Sequence, residues 1–185
     1  MRLANRRPSR ALIDALGIRA HHRALDIGCG DGAMLAMLGD LAFRAGVDRS
    51  ATMAAAARRR LGRAIRKARA DIIQGDMLAL PFAAGSFDRI IAANVLYFCS
   101  DIPALLTECR RVSRSGAQLG IYVTARQSMA RWSFAGPATH RHFDASDLEQ
   151  EFAAADVRPD DFRIRSIALP GGVEGLVAVV DLHPI

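Results

Sequence analysis

A chain of 185 residues is long enough for one domain with a sizeable core and too short for two ordinary ones. With 51% apolar and 24% charged residues it reads as soluble and globular, and no run approaches the roughly 18 apolar residues of a membrane span. A net charge of +6 raises a nucleic-acid partner, but Lys67 is the only lysine among 25 basic residues. That arginine bias, with abundant alanine, has the look of a GC-rich genome and weakens the argument from charge.

In chain order, residues 1–22 read as an N-terminal helical segment, with a helix from Ser9 to Leu16 stopped by Gly17. The four arginines of residues 1–10 are not followed by a clean apolar signal core, so a cytoplasmic location is the default expectation. Ala24–Ile27 is a short buried strand, and Ala33–Leu38 opens a helix. Phe43–Val47 is a second strand, followed by an alanine-rich helix from Ala51 to Lys67. On that helix Arg60, Arg63, Arg66 and Arg69 would form one slanting basic stripe, read chiefly as a solvated face. Asp71–Gln74 is a third strand and Phe87–Ala93 a fourth, nearly continuous in apolar residues as a strand buried on both faces must be. Ile102–Val112 is helical and Gln118–Thr124 is a fifth strand. Residues 125–143 are irregular, with Gly136-Pro137 as a turn, and read as a substrate lid. A helix over Asp144–Ala155 precedes two closing strands, Phe162–Leu169 and Gly175–Leu182, which the Gly171-Gly172 turn forces to run antiparallel. The expectation is a single α/β domain over 1–185: a Rossmann-like, seven-stranded, mainly parallel sheet with a C-terminal antiparallel hairpin and helices on both faces.

Candidate site residues collect at the ends of these strands. Asp26-x-Gly28-Cys29-Gly30-x-Gly32 follows a strand and opens a helix, where glycines allow a tight turn and helix N–H groups can meet a polar ligand. Gly28, Gly30 and Ala33 fit the GxGxxA pattern of dinucleotide sites equally well, so this segment alone leaves the ligand open. Asp48, at the end of the second strand, suits the two hydroxyls of a ribose, again without choosing between ligands. Cys29, Cys99 and Cys109 show neither CxxC nor zinc spacing, so no metal is expected, and Cys29 is given no nucleophilic role.

Gly75-Asp76-Met77, then Leu80-Pro81-Phe82, then Gly85-Ser86-Phe87-Asp88 break the tie. With them, residues 9 to 125 resemble the class I S-adenosylmethionine-dependent methyltransferases of the small-molecule type. The resemblance implies a methionine-side loop at Asp26, Gly28, Cys29, Gly30 and Gly32. It implies a ribose segment at Asp48, Arg49 and Met53, an adenine segment at Asp76 and Met77, and a methyl-transfer centre near Asn94. Glu108-x-x-Arg111-Val112 resembles the family's stretch before the fifth strand. Ser113, Ser115 and Ala117 depart from it, an expected loosening of that loop. S-Adenosylmethionine is then the cofactor and a small molecule the acceptor. Tyr97, at the pocket mouth, and His140 are candidates for catalysis on the acceptor side, His142 lying near. The alternatives carried are an RNA methyltransferase, a catalytically silent S-adenosylmethionine-binding protein, and a nicotinamide oxidoreductase. The RNA reading is weakened because Asn94-Val95-Leu96-Tyr97 stands where an Asn/Asp-Pro-Pro-aromatic tetrad would. No membrane partner is expected, and either a monomer or a homodimer is compatible.

Overall fold

The computed structural model describes residues 6–132 and 140–184. Seven strands form one sheet: β1 (Arg23–Ile27), β2 (Phe43–Asp48), β3 (Ala70–Gln74), β4 (Phe87–Ala93), β5 (Ser113–Thr124), β6 (Phe162–Leu169) and β7 (Val173–Asp181). Their order across the sheet is β3-β2-β1-β4-β5-β7-β6. β1 to β5 pair in parallel, while β7 inserts antiparallel between β5 and β6. The chain order reverses between β1 and β4, and it is outside the carboxyl ends of strands at such a switch point that α/β sheets bind ligands.

Helices α1 (Arg6–Ala15), α2 (Ala33–Met37) and α3 (Ala51–Arg66) share one apolar layer, in which Leu12, Leu16, Leu35 and Leu61 meet Ile72, Ile91 and Tyr122. Helices α4 (Ile102–Val112) and α6 (Ala145–Ala154) cover the other face, with Leu105, Leu106, Leu148 and Phe152 packed on Leu25, Ile90 and Leu119. Between them lies the four-residue α5 (Arg126–Met129). Gly120 is what lets α1 sit down on β5: a Cβ there would lie 2.7 Å from the Cδ1 of Leu16.

Most sequence boundaries hold within three residues, and the exceptions have local causes. α1 is already helical at Arg6, where the described residues begin, ahead of the expected Ser9. β5 begins at Ser113, five residues early: Ser113 pairs with Phe87 while Gln118 pairs with Arg89, so residues 114–117 bulge out of the ladder. The Ser113 hydroxyl donates to the Cys109 carbonyl at 2.6 Å, closing the end of α4, and the departure at this position tightens the joint rather than loosening it. α3 stops at Arg66, and Ala68 turns the chain through a positive φ of 54°, so Arg69 lies off the helix and the basic stripe is broken. Arg58 and Arg60 are held to the protein, on the Ile72 carbonyl and on Asp31 respectively. The Gly136-Pro137 turn falls outside the described residues. Among the described residues no helix is long and apolar enough to cross a membrane.

Candidate active site

A cavity of about 680 Å³ opens at the carboxyl ends of β1, β2, β3 and β4. Of the residues singled out from sequence, Gly28, Asp48, Arg49, Asp76, Met77 and Asn94 line it. Asp26, Cys29, Gly30, Gly32, Met53, Tyr97 and His140 are not part of its wall, and the reason differs for each.

The β1–α2 loop explains most of these. Gly28, Gly30 and Gly32 take φ of 68°, 52° and 74°, a region open to glycine and costly for residues with a Cβ. At Gly28 an added Cβ would also lie 2.5 Å from the Val95 Cγ2, so two strand tips approach closely here. The N–H groups of the loop itself are occupied within the protein. Gly28 and Cys29 donate to the Val47 carbonyl at 2.8 and 3.0 Å, Gly30 to the Asp48 carboxylate at 2.8 Å, and Gly32 to the Cys29 carbonyl at 2.9 Å. What the loop supplies to the cavity is clearance. Gly32 packs against Ala57 of α3, and Cys29 is buried, its thiol pushed up by desolvation and the neighbouring carboxylates.

Asp48 joins the strand tips. One oxygen accepts from Gly30 and the other from the backbone N–H of Ser50 at 2.8 Å, and each oxygen can still accept a further bond from the cavity. Ser50 caps α3 by accepting from Met53, which turns Met53 to solvent. Asp26 lies beneath this carboxylate. It is only 3% exposed, its Oδ2 has no partner among the described residues, and burial, aided by Asp48, pushes its carboxyl up to about 8. A buried carboxyl that finds no donor in its own chain keeps its proton until a donor or cation arrives.

The β3 side of the cavity is the segment Gly75–Leu78. Asp76 accepts from the Leu78 N–H at 2.9 Å, which curls the segment so that Met77 and Leu78 form an apolar wall beside an exposed carboxylate. The next turn is held by two residues whose role the sequence did not disclose. Glu108 accepts from the Leu80 N–H at 2.7 Å, and Arg111 donates to the carbonyls of Leu80 and Phe82 at 2.8 and 2.7 Å. The two also pair with each other, which holds the Glu108 carboxyl below its ordinary value. The spacing Glu108-x-x-Arg111 signalled one helix face, but what that face holds is a long-range fact.

At the end of β4 Asn94 takes a positive φ of 57°, one of the few residue types at home there. A one-turn 3-10 segment, Leu96–Phe98, then points Tyr97 inward and Phe98 outward. Tyr97 is therefore not at the pocket mouth: it is 6% exposed, and its hydroxyl is pushed up to about 12, chiefly by burial. Phe98, 52% exposed, lines the mouth with Val95, Cys99 and Ser100. The His140 ring lies 4.8 Å from that of Phe98, just outside the cavity wall.

Comparison with known proteins agrees with this geometry. The family described as "Methyltransferase domain" matches residues 25–121, more than half of the chain and all the strand tips around the cavity. A demethylmenaquinone methyltransferase of Beutenbergia cavernae is 37% identical over 127 residues, covering 67% of this chain and 48% of that protein. A malonyl-[acyl-carrier protein] O-methyltransferase of Legionella pneumophila is 30% identical over 128 residues, covering 65% and 44%. The chain thus spans less than half the length of these relatives. Among solved structures, geranyl diphosphate C-methyltransferase from Streptomyces coelicolor, in complex with Mg2+, geranyl diphosphate and S-adenosyl-L-homocysteine, superposes with a TM-score of 0.76 at 17% identity, covering 95% of this chain and 79% of that one. With its seven-stranded sheet closed by an antiparallel pair, the chain belongs to the class I S-adenosylmethionine-dependent methyltransferase family.

Proposed function

We propose that this protein transfers the methyl group of S-adenosylmethionine to a small-molecule acceptor, on one domain spanning 1–185. The observation that carries the reading is the convergence of Gly28, Asp48, Asp76, Met77 and Asn94 from four strand ends on one cavity, with the orphaned carboxyl of Asp26 beneath. The donor and acceptor chemistry fits. The cofactor carries an ammonium, two ribose hydroxyls and an adenine amino group, all donors, and the strand ends carry three carboxylates, Asp48 and Asp76 in the cavity wall and Asp26 buried near Asp48.

In this reading Asp48 binds the ribose while keeping the glycine loop folded through Gly30. Asp76 accepts from the adenine edge, with Met77 against the ring. Asp26 meets the ammonium end, directly or through water. Cys29, Gly30 and Gly32 shape the loop, and Arg49 and Met53 flank the ribose side. The cofactor, once bound, supplies a methyl group activated on a sulfonium, whose in-line displacement asks more for alignment than for acid–base help. The chain's own contribution is to orient the pair and exclude water, with Phe98 and Asn94 facing the acceptor. Residues 125–143 are proposed as the cover. His140 is our candidate base in reach of that end, and the burial of Tyr97, with its hydroxyl pushed up to about 12, supports His140 over Tyr97 in that role.

Isothermal titration with S-adenosylmethionine and S-adenosylhomocysteine tests the first half of the reading: saturable one-site binding of both is expected, and no saturable heat from either would end it. A thermal-shift screen with S-adenosylhomocysteine present, adding candidate small molecules, tests the second half. A further stabilisation marks the acceptor, and a methylated product then separates an enzyme from a silent binding protein.

A further inference from the structure

Three hydrogen bonds tie Asn94 and Tyr97 to each other and to β5. The backbone N–H of Thr124 donates to the Tyr97 hydroxyl oxygen at 2.5 Å. An amide N–H can only donate, so the hydroxyl proton must point elsewhere. It points to Asn94, whose Oδ1 accepts it at 3.2 Å. The backbone of Asn94 is pinned independently, its N–H donating to the Tyr122 carbonyl at 2.9 Å in the left-handed conformation already described. With the Asn94 oxygen held toward Tyr97, the side chain has its Nδ2 donor for the cavity it lines, and that nitrogen has no protein partner among the described residues. Side-chain amides can otherwise present either end to a ligand, and here the Tyr97 hydroxyl holds the oxygen end. The network is buried and robust to pH: Tyr97 and Thr124 are 6% and 5% exposed, and burial drives the tyrosine's proton loss far above neutrality.

We infer that Tyr97 is a positioning residue which locks the Asn94 amide as a hydrogen-bond donor toward the cavity, so that the ligand group Asn94 meets is an oxygen acceptor rather than an amine. The inference rests on the methyl-transfer reading above and narrows it. Two sources can supply that oxygen: the carboxylate at the methionine end of the cofactor, or the oxygen of a methyl acceptor. An ammonium or amine acceptor would find a donor facing it, and the geometry selects against it.

Three probes decide the matter without a known acceptor. S-Adenosylmethionine and sinefungin carry a positive charge at the same place, but sinefungin bears an amine where the other bears the methylsulfonium, so only sinefungin donates hydrogen bonds there. Methylthioadenosine lacks the amino-acid end altogether. Dissociation constants for the three are measured by calorimetry on wild type, Tyr97→Phe and Asn94→Asp. Tyr97→Phe frees the amide to turn its oxygen to the cavity, and Asn94→Asp keeps the Tyr97 bond while replacing the donor with an acceptor.

If the oxygen belongs to the methyl acceptor, both variants shift the affinity ratio toward sinefungin over S-adenosylmethionine by about tenfold. If it belongs to the cofactor carboxylate, both ligands weaken together by about tenfold while methylthioadenosine is unchanged. A general loosening of the site would weaken methylthioadenosine as well, and that result, or no change in any ratio or affinity, overturns the inference. Should Tyr97→Phe fail to fold, Asn94→Asp carries the same comparison, because aspartate tolerates the left-handed backbone and retains both hydrogen bonds of Tyr97. Failure of the wild type to bind any of the three would overturn the methyl-transfer reading, and this inference with it.

Discussion

The two ends of the cavity are built by different means. At the end we assign to the cofactor, the tips of β1, β2 and β3 are tied by short bonds, some within two residues, Asp48 to Ser50 and Asp76 to Leu78, and some from β1 across to β2, the glycine loop to Val47 and Asp48. At the end we propose for the acceptor, the 3-10 turn at Leu96–Phe98 is fixed by distant partners, Tyr97 by Thr124 and the backbone of Arg141, and the wall it presents is mostly apolar. In the proposed function the carboxylate-rich end meets a ligand whose chemistry does not vary. An end assembled from turns lets the second ligand differ between relatives sharing the first.

That contrast can be broken most sharply at Gly28. Gly28→Ala places a Cβ in a left-handed position and against Val95, costing about 1–2 kcal/mol for the backbone and about 1–3 kcal/mol for the overlap. Thermal unfolding should show a drop of many degrees, with S-adenosylhomocysteine binding lost in calorimetry. A tolerated alanine with normal affinity would mean the two strand tips are not closely apposed. The next largest effect is electrostatic. The carboxyl of Asp26 sits at about 8 in the folded protein, far above its unfolded value, so the native state holds a proton that the unfolded chain releases near pH 4. The stability of the ligand-free protein therefore falls as pH rises from about 4 to about 8 and levels off above. Asp26→Asn removes that slope, and its stability relative to wild type should grow by a few kcal/mol, on the order expected from the raised value, between pH 4.5 and 8.5. Comparing the two pH values cancels the constant cost of the buried amide. Urea unfolding measures it, and parallel slopes for the two proteins would show that Asp26 is not the titrating group.

How much of this was legible beforehand follows the same division. Gly28, Asp48 and Asp76 could be read because each sits at a strand end whose alternation of apolar residues and glycine is local, and β4 and α4 matched to the residue for the same reason. Tyr97 could not be placed, because whether a residue of a short turn faces in or out depends on Thr124, 27 positions away. The occupied N–H groups of Gly28, Cys29 and Gly30 were hidden likewise, since their acceptors belong to β2. The grip of Glu108 and Arg111 on residues 80–82 shows in sequence only as a spacing.

The remaining predictions sharpen the contrast between the ends. Asp48→Ala strips the acceptors from two backbone N–H groups and should cost about 2 kcal/mol of stability, with S-adenosylhomocysteine affinity falling about a hundredfold at the same time, because one side chain serves both fold and ligand. Phe98→Ala is the counterpart and the smallest effect. Phe98 is half exposed and contributes little buried area, so thermal unfolding should move by no more than about 0.5 kcal/mol. S-Adenosylhomocysteine affinity should stay within about twofold, since the proposed function gives its polar groups to the carboxylates and not to Phe98. Its effect belongs to the second ligand: any compound that further stabilises the wild-type complex with S-adenosylhomocysteine should lose that increment in Phe98→Ala. If Phe98→Ala instead weakens S-adenosylhomocysteine as strongly as Asp48→Ala does, the cavity is one continuous cofactor site and the acceptor must approach from elsewhere.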